Sequence, residues 1–285
     1  MGIPYAEVIG DPIAHSKSPI IHRFWLDKVG MEGEFLKTKV EADGLEAYFA
    51  ARRRDADWLG CNVTIPHKQA VAPHLERVDP AAERIGAINM VVKEGGAGQL
   101  VGYNSDAAGF VEPLRPLLAH RHLFRMARII GAGGAARAVA HALWAEGFTL
   151  VIIARDPKKA EALRSQFDPA HSYVGRLADL ASPTDFAFDD REGILDLVVN
   201  TTSLGMAGQP PLHLDFSHVP PGAVIYDVVY APIETPLLGE ARARGHRTFD
   251  GLEMLVGQAA VAFEKFFGLP APREHDAELR ALLLQ

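Results

Sequence analysis

The sequence predicts an α/β fold with two domains, and three features support this prediction. The chain has 285 residues, of which 48% are hydrophobic, enough for two buried cores. Short apolar runs typical of strands alternate with segments of helical periodicity, an order that favours mainly parallel sheets. A glycine-rich turn at residues 131–136 follows one of these strand-like runs and precedes a helix-like segment.

The composition excludes several classes of protein. A net charge of −7 argues against a nucleic-acid partner. Cys61 is the only cysteine, so an internal disulfide is impossible and a reducing cytoplasm is the expected compartment. We expect neither a signal peptide nor a membrane helix, since no long apolar run occurs. The 12 histidines form no recognisable metal-binding pattern, so we predict no metal.

The first strand is predicted at residues 5–10, and a polar loop from Gly10 to Pro19 leads into a helix that ends near Val29. Ser16 and Ser18 lie at the entrance of that helix. Such hydroxyls either cap the helix or, beside a lysine, bind a carboxylate. The sequence leaves both roles possible for Ser16 and Ser18.

A second strand at 35–40, a helix at 44–53 and a buried strand at 58–63 continue the alternation. Polar residues from Asn62 to Lys68 follow this buried strand, at its carboxyl end, where open α/β sheets bind ligands. A lysine here is either a solvated surface group or a proton donor with a tuned environment.

Residues 85–103 are predicted to form a hairpin with its turn at 95–98. Asn104, Ser105 and Asp106 follow and open a helix that extends to about residue 119. Helix capping alone would explain Asp106, and a functional carboxylate is the alternative.

The glycine-rich turn has the pattern Gly131-x-Gly133-x-x-Ala136. In the dinucleotide-binding fingerprint the first glycine permits a tight turn, the second lets the backbone approach a pyrophosphate, and the last small residue lets helix and strand pack closely. Similar turns also occur where nothing binds. The predicted cofactor contacts of this loop are Gly131, Ala132, Gly133, Gly134 and Ala135.

The next strand, at 149–154, ends at the position that selects the cofactor. NAD enzymes usually have an acid there, which binds the ribose 2′-hydroxyl. Ala154 occupies this position, and the cations Arg155 and Lys159 follow, so NADP is favoured. Asp156 opposes this prediction, because its charge would repel a 2′-phosphate.

The rest of the chain continues the α/β pattern. An acidic, irregular segment at 182–193 is predicted to be an exposed loop. Gln258 interrupts an apolar helical stripe and therefore needs a polar partner. Strands are predicted at 195–200 and 223–229, and helices at 236–244 and 250–267.

Together these motifs resemble those of the shikimate dehydrogenase family over nearly the whole chain. The segments that carry the resemblance, in order, are 10–19, 62–68, 86–89, 104–106, 131–136, 227–236 and 250–258. The resemblance implies reversible, NADPH-dependent reduction of 3-dehydroshikimate to shikimate, in the shikimate pathway to chorismate and the aromatic amino acids. It also implies an N-terminal α/β substrate domain (1–107 plus 250–285) with a mainly parallel sheet, a Rossmann-type NADP domain (108–249), and a cleft between them. We expect a monomer or a homodimer.

The resemblance also implies roles for individual residues. Lys68 and Asp106 match the family's catalytic pair. The matching substrate ligands are Ser16, Ser18 and Tyr230 for the carboxylate and Thr64, Asn89 and Gln258, with Asp106, for the ring hydroxyls. The matching cofactor contacts beyond the glycine loop are Arg155 and Lys159, with the backbone of Val228 and Gly251 at the nicotinamide.

The sequence departs from the family in one important place. Ala154-Arg155-Asp156 stands where Asn-Arg-Thr is usual, which leaves open an NAD-using quinate/shikimate dehydrogenase. Ser18 favours shikimate, because quinate-using relatives often differ at that position. A catalytically silent nucleotide-binding paralogue is a remote alternative. A tetrahydrofolate dehydrogenase fits less well, since the Ser16 and Ser18 loop suits a small carboxylate better than a pterin.

Overall fold

The computed structural model describes residues 2–95, 98–183 and 193–285. It divides into two compact units, one comprising the chain up to Gly109 and from Leu255 onward, the other Phe110–Met254. The boundaries predicted from the sequence lie after residues 107 and 249. Each unit contains one sheet of six strands, and the predicted α/β fold class is confirmed.

The first unit contains a mixed sheet in the order β2-β1-β3-β5-β6-β4. The pairs β1/β2, β1/β3 and β4/β6 are parallel, whereas β5 pairs antiparallel with both β3 and β6. Its elements are β1 (Tyr5–Gly10), α1 (Ser18–Val29), β2 (Glu34–Lys39), α2 (Leu45–Arg54), β3 (Trp58–Val63), β4 (Arg77–Val78), α3 (Pro80–Ile85), β5 (Met90–Glu94), β6 (Gln99–Tyr103) and the start of α4 (Asp106–Val111).

The carboxyl ends of β1 and β3 lie side by side because these strands are parallel neighbours. The amide of Thr64 donates to the carbonyl of Ile9 at 3.0 Å, and the amide of Asp11 donates to the carbonyl of Ile65 at 3.0 Å. A Cβ on Gly10 would lie 2.5 Å from the Thr64 methyl, so only glycine permits this approach. The loops that follow β1 and β3 are therefore held together at one edge of the sheet.

The second unit contains a fully parallel sheet in the order β12-β11-β10-β7-β8-β9. Its elements are α5 (Arg115–Leu118), β7 (Phe124–Ile130), α6 (Gly134–Ala145), β8 (Thr149–Ala154), α7 (Pro157–Arg164), β9 (Ser172–Arg176), β10 (Ile194–Asn200), β11 (Val224–Asp227), α8 (Pro236–Ala243) and β12 (Arg247–Phe249). This is the doubly wound order, whose direction reverses between β7 and β10. Ligands bind such sheets at the strand ends beside that reversal.

Two further helices complete the chain, α9 (Gly251–Phe267) and α10 (Asp276–Leu283). The division between the units falls inside α4 and again inside α9. The prediction of one continuous helix from 106 to 119 is wrong: α4 ends at Val111, a 3-10 turn covers Glu112–Leu114, and α5 follows. Pro113 and Pro116 explain the interruption, because proline lacks the amide that a continuous helix needs.

Some predicted features lie wholly or partly outside the described residues. Residues 184–192 belong to the predicted exposed loop, and residues 96 and 97 to the predicted hairpin turn. Within the described ranges, no helix combines the length and apolar character needed to span a membrane. The same ranges contain no cluster of three metal-ligating side chains.

His22 is a completely buried polar residue in the core of the first unit. It lies on α1, and its ring stacks on Phe35 of β2 with centroids 3.9 Å apart, near Phe263 of α9. Neither ring nitrogen has a hydrogen-bond partner among the residues that the structure describes. Burial therefore lowers the pKa of His22 from 6.5 to about 3.

This burial predicts a specific acid sensitivity. Between pH 6.5 and about 3 the unfolded chain protonates His22 while the folded chain does not, so the folded state loses stability as the pH falls. The slope contributed is at most about 1.4 kcal/mol per pH unit. His22→Leu should flatten the curve of unfolding free energy against pH in this window, measured by urea denaturation. Parallel curves for wild type and variant would exclude His22 as the sensitive group.

Candidate active site

Lys68 and Asp106 form an ion pair in the first unit. The Lys68 Nζ lies 2.5 Å from Asp106 Oδ2, and the two side chains are 17% and 6% exposed. Lys68 lies on a 3-10 turn (His67–Gln69) after β3, and Asp106 is the first residue of α4. Two groups separated by 38 residues are thus in contact at a partly solvent-accessible position.

The turn that carries Lys68 is fixed by hydrogen bonds on each side of the lysine. The buried ring of His67 has its Nε2 2.7 Å from the carbonyl of Val40. The carbonyl of Lys68 accepts from the amide of Ile88 at 2.7 Å. The backbone of Lys68 is therefore anchored, and its amine, paired with Asp106, is the part of the residue that can contact a ligand.

Asp106 is held by a second buried partner. Its Oδ1 accepts from the Asn89 Nδ2 at 2.9 Å. Helix capping does not explain this carboxylate, since the side chain of Asn104 accepts from the amide of Ala107 at 3.3 Å and so serves that role. Both carboxylate oxygens of Asp106 are instead committed to Lys68 and Asn89.

Ser105 is a member of this cluster to which the sequence analysis gave no role. Its amide donates to Asn89 Oδ1 at 2.7 Å, and its hydroxyl accepts from Asn89 Nδ2 at 2.9 Å. The Gln258 Oε1 lies 3.4 Å from the same hydroxyl and accepts from it. The predicted need of Gln258 for a polar partner is met here and by the bond from its Nε2 to the Leu255 carbonyl at 2.9 Å. The signal available in the sequence was the serine between Asn104 and Asp106.

Ser16 and Thr64 lie on the linked loops after β1 and β3, and Ser18 is the first residue of α1. The residue at the N-cap position of α1 is Lys17, which makes no side-chain capping bond. The hydroxyl of Ser16 accepts from the amide of Ser18 at 3.3 Å. Neither serine therefore occupies the cap position, and short hydroxyl side chains remain at a helix start, a favourable place for an anion.

The glycine loop of the second unit has the shape that a pyrophosphate needs. Gly131 has φ +124°, and a Cβ there would lie 2.3 Å from the Thr201 Oγ1. Gly133 is the N-cap of α6 and makes no side-chain capping bond, and among the described residues other than its two chain neighbours no atom lies within 4 Å of the position a Cβ would take. The start of α6 thus offers backbone amides and open space, and these residues fit a dinucleotide.

The segment after β8 that is predicted to select the cofactor is exposed. Arg155 and Lys159 are both exposed there, and their contact with a 2′-phosphate stays a prediction. The carboxylate of Asp156 caps α7, since its Oδ1 accepts from the amide of Lys158 at 2.9 Å. Asp156 thus has a structural role, and its charge remains beside the two cations.

Val228 and Gly251, separate in the sequence, meet in the second unit. A Cβ on Gly251 would lie 2.3 Å from the Val228 carbonyl oxygen, and the Gly251 amide donates to the Val229 carbonyl at 3.3 Å. Tyr230 follows on the same segment, and burial raises the pKa of its hydroxyl. The structure therefore groups Tyr230 with the predicted cofactor residues, whereas the other predicted substrate ligands belong to the first unit.

Comparison with known proteins identifies the family. The family model described as the shikimate dehydrogenase substrate binding domain matches residues 8–91, and that described as shikimate/quinate 5-dehydrogenase matches residues 118–187. A third, the shikimate 5'-dehydrogenase C-terminal domain, matches residues 251–278. The shikimate dehydrogenase (NADP(+)) of Sphingopyxis alaskensis is 50% identical over 282 residues, which cover 99% of this chain and 97% of that protein.

The chain belongs to the shikimate dehydrogenase family. The resemblance seen in the sequence motifs is confirmed.

Two solved structures extend this comparison. The shikimate 5-dehydrogenase of Thermus thermophilus, in complex with NADP(H) and shikimate, has a TM-score of 0.81 and 33% identity, covering 99% of this chain and 100% of its own. The quinate dehydrogenase of Corynebacterium glutamicum, in complex with NAD, has a TM-score of 0.84 and 30% identity, covering 98% of this chain and 97% of its own. Both cofactor types therefore occur on closely similar folds.

The different surroundings of the two loop glycines predict different effects of alanine. Gly131→Ala should lower the free energy of unfolding by about 1–3 kcal/mol, because the methyl group strains the backbone and meets Thr201. Gly133→Ala should change it by less than about 0.5 kcal/mol, since the space is open. Thermal unfolding of both variants checks this contrast, and equal losses would contradict it.

Proposed function

We propose that this chain catalyses the reversible, NADPH-dependent reduction of 3-dehydroshikimate to shikimate. The observation that carries the proposal is the Lys68–Asp106 pair, held at 2.5 Å within a cluster of buried amide and hydroxyl groups. The curated relative from S. alaskensis has the name of this activity, and the T. thermophilus structure binds both NADP(H) and shikimate. These names agree with the function predicted from the sequence.

Lys68 and Asp106 are the proposed catalytic residues. NADPH, when bound, supplies the hydride that reduces the ring ketone. As negative charge develops on the ketone oxygen, the Lys68 ammonium stabilises it and donates the proton that makes the alcohol. Asp106 fixes the amine by its 2.5 Å contact and accepts a hydrogen bond from a neighbouring ring hydroxyl. In the reverse direction Lys68 accepts the hydroxyl proton.

The proposed substrate ligands divide by chemistry. Ser16, Ser18 and Tyr230 are assigned to the carboxylate, and Thr64, Asn89 and Gln258 to the ring hydroxyls. Asn89 and Gln258 are buried and already joined through Ser105, so their orientation is set before substrate binds. A site of this kind rejects analogues that lack a hydroxyl, because its buried polar groups would lose a partner.

The proposed cofactor site begins at the glycine loop. Gly131, Ala132, Gly133, Gly134 and Ala135 would hold the pyrophosphate, while Arg155 and Lys159 would hold the 2′-phosphate. Val228 and Gly251 would contact the nicotinamide through their backbone. The Gly133→Ala variant, expected to fold normally, should bind NADPH more weakly, because its methyl group takes the space the phosphate needs.

Several coarser proposals accompany this function. We assign substrate binding to residues 1–107 plus 250–285 and NADP binding to 108–249. We propose a monomer or homodimer, which light scattering after gel filtration tests, with no nucleic-acid partner. The cytoplasm is the proposed compartment, since Cys61 is the only cysteine and no internal disulfide can form.

An NAD-using quinate/shikimate dehydrogenase is the second candidate, and the exposed carboxylate of Asp156 is the observation that favours it. The C. glutamicum quinate dehydrogenase with NAD has a similar fold. Comparison of kcat/KM for shikimate and quinate, each with NADP and NAD, separates the two. Shikimate with NADP should be the preferred combination. Preference for quinate with NAD would reject the main proposal, and bound nucleotide without turnover of either substrate would indicate a silent paralogue.

Replacing Lys68 tests the catalytic assignment. Lys68→Ala should lower kcat by about 10²- to 10⁴-fold, the usual contribution of a positioned proton donor. NADPH affinity should stay within about twofold, because the predicted cofactor contacts are elsewhere. Lys93→Met is the control, since that amine donates to the carbonyl of Asp55 and has no proposed catalytic role. A Lys68→Ala enzyme with near-normal kcat would make the assignment wrong.

Replacing Asp156 tests the cofactor assignment. Asp156→Thr keeps a helix-capping oxygen and removes the negative charge, so the ratio of kcat/KM with NADP to that with NAD should rise by about tenfold. The change should be smaller at high salt, since the charge is exposed. Asp79→Thr is the matched control, because Asp79 caps α3 in the first unit in the same way. An unchanged ratio for Asp156→Thr would remove Asp156 from cofactor selection.

A further inference from the structure

Asp227 is a completely buried carboxylate at the end of β11. Its Oδ1 accepts from Asn200 Nδ2 at 2.9 Å and from the amide of Val229 at 3.0 Å. Its Oδ2 accepts from the Thr235 hydroxyl at 2.7 Å. Each of these partners is neutral, so hydrogen bonds from uncharged donors satisfy the carboxylate.

Asn200 connects this carboxylate to the strand end beside the glycine loop. It pairs in register with Ile130 of β7 on one side and with Asp227 on the other. Its Nδ2 also donates to the Leu204 carbonyl at 2.9 Å, and its Oδ1 accepts from the Thr202 hydroxyl at 2.7 Å. The carbonyl of Asn200 accepts from the amide of Val228 at 3.0 Å. Asn200 and Asp227 therefore form one hydrogen-bonded pair at the ends of β10 and β11.

Hydrogen bonds to Asn200 and Asp227 hold both ends of the segment 228–235, which is proposed to contact nicotinamide and substrate. Val228 is held by Asn200, and Val229 by Asp227. Beyond Tyr230, the Thr235 hydroxyl is tied to the same carboxylate. The segment from 228 to 235 is thus hydrogen-bonded to the Asp227 carboxylate near both of its ends.

Burial of the Asp227 carboxylate is unfavourable, because it removes a charged group from water. Burial raises the pKa of Asp227 from 3.8 to about 6, even though the bonds from Thr235, Val229 and Asn200 each act to lower it. A hydrophobic or amide side chain would avoid the cost of desolvating a charge. Buried groups of this kind concentrate where their geometry serves function.

We propose that Asp227 is a positioning residue, which with Asn200 and Thr235 sets the place of the Val228 backbone and the Tyr230 side chain for hydride transfer. The inference rests on the proposed function, which assigns those two residues to nicotinamide and substrate. It does not make Asp227 catalytic, because the carboxylate is fully enclosed by its own hydrogen-bond donors.

The test uses Thr235→Val, which removes the donor to Oδ2 and also the side-chain cap of α8, since the Thr235 hydroxyl accepts from the amide of Leu238 at 3.3 Å. Thr235→Ser restores both bonds. Asp227→Ala is the second variant, because it removes the acceptor of all three bonds, those from Asn200, Val229 and Thr235. Ile225→Val, a core change on the same strand, is the control for lost stability. The readouts are melting temperature, Kd for NADPH, fluorescence of the bound nicotinamide, kcat, and KM for shikimate.

Thr235→Val should lower kcat by about tenfold or more and raise KM for shikimate, because small misplacements of reacting groups are costly. It should alter the fluorescence of bound NADPH while Kd stays within about twofold, since the phosphates would supply most of the affinity. Asp227→Ala should show at least the same kinetic loss, because it removes all three bonds to the Asp227 carboxylate. Thr235→Ser should behave like the wild type.

Two results would overturn the inference. One is that Thr235→Val and Asp227→Ala keep wild-type kcat and nicotinamide fluorescence. The other is that Ile225→Val loses as much activity at an equal drop in melting temperature, which would make the role purely structural. Failure of the proposed function is distinct, since wild type would then not turn over shikimate, while the NADPH fluorescence of the variants would still decide the role of Asp227.

Discussion

The contact between Lys68 and Asp106 is the interaction on which the proposed chemistry of this protein depends. An ammonium and a carboxylate at 2.5 Å are stable in a largely buried place only if their remaining hydrogen-bonding capacity is used. Asn89 uses the second oxygen of Asp106, and the Ser105 hydroxyl joins Asn89 to Gln258. The cluster is thus a chain of mutually oriented groups whose exposed end is the amine of Lys68.

The second unit contributes in a different way, through backbone more than through side chains. Gly131 permits a turn that any side chain would block, Gly133 leaves space at the start of α6, and Gly251 lets its helix start touch the Val228 carbonyl. At each of these three positions the important property of glycine is that it has no Cβ atom. The side chain of Asp227 then accepts hydrogen bonds from Asn200 and from the amide of Val229, which fixes the backbone next to Val228.

Much of the fold and of the site could be predicted from local patterns. β1, β3 and β8 begin and end at the predicted residues, since short, mainly apolar runs bounded by polar turns favour strands. The helix predicted at 106–119 was wrong because two prolines outweigh its apolar periodicity. The strands β4, β9 and β12 were not predicted, since they are short and gain stability from neighbours that are distant in sequence.

The sequence by itself determined the family, the α/β class, the glycine loop and the chemical types of the candidate site residues, because these depend on residue identity and on spacing along the chain. Only the tertiary structure decided which groups touch. Asp106 binds Lys68 and Asn89 and leaves helix capping to Asn104, and Gln258 finds Ser105 across 153 residues of chain. Asp227 meets Asn200 because β10 and β11 are parallel neighbours in register. Such contacts depend on strand order and register, which are set by the packing of whole elements and leave no mark in a local motif.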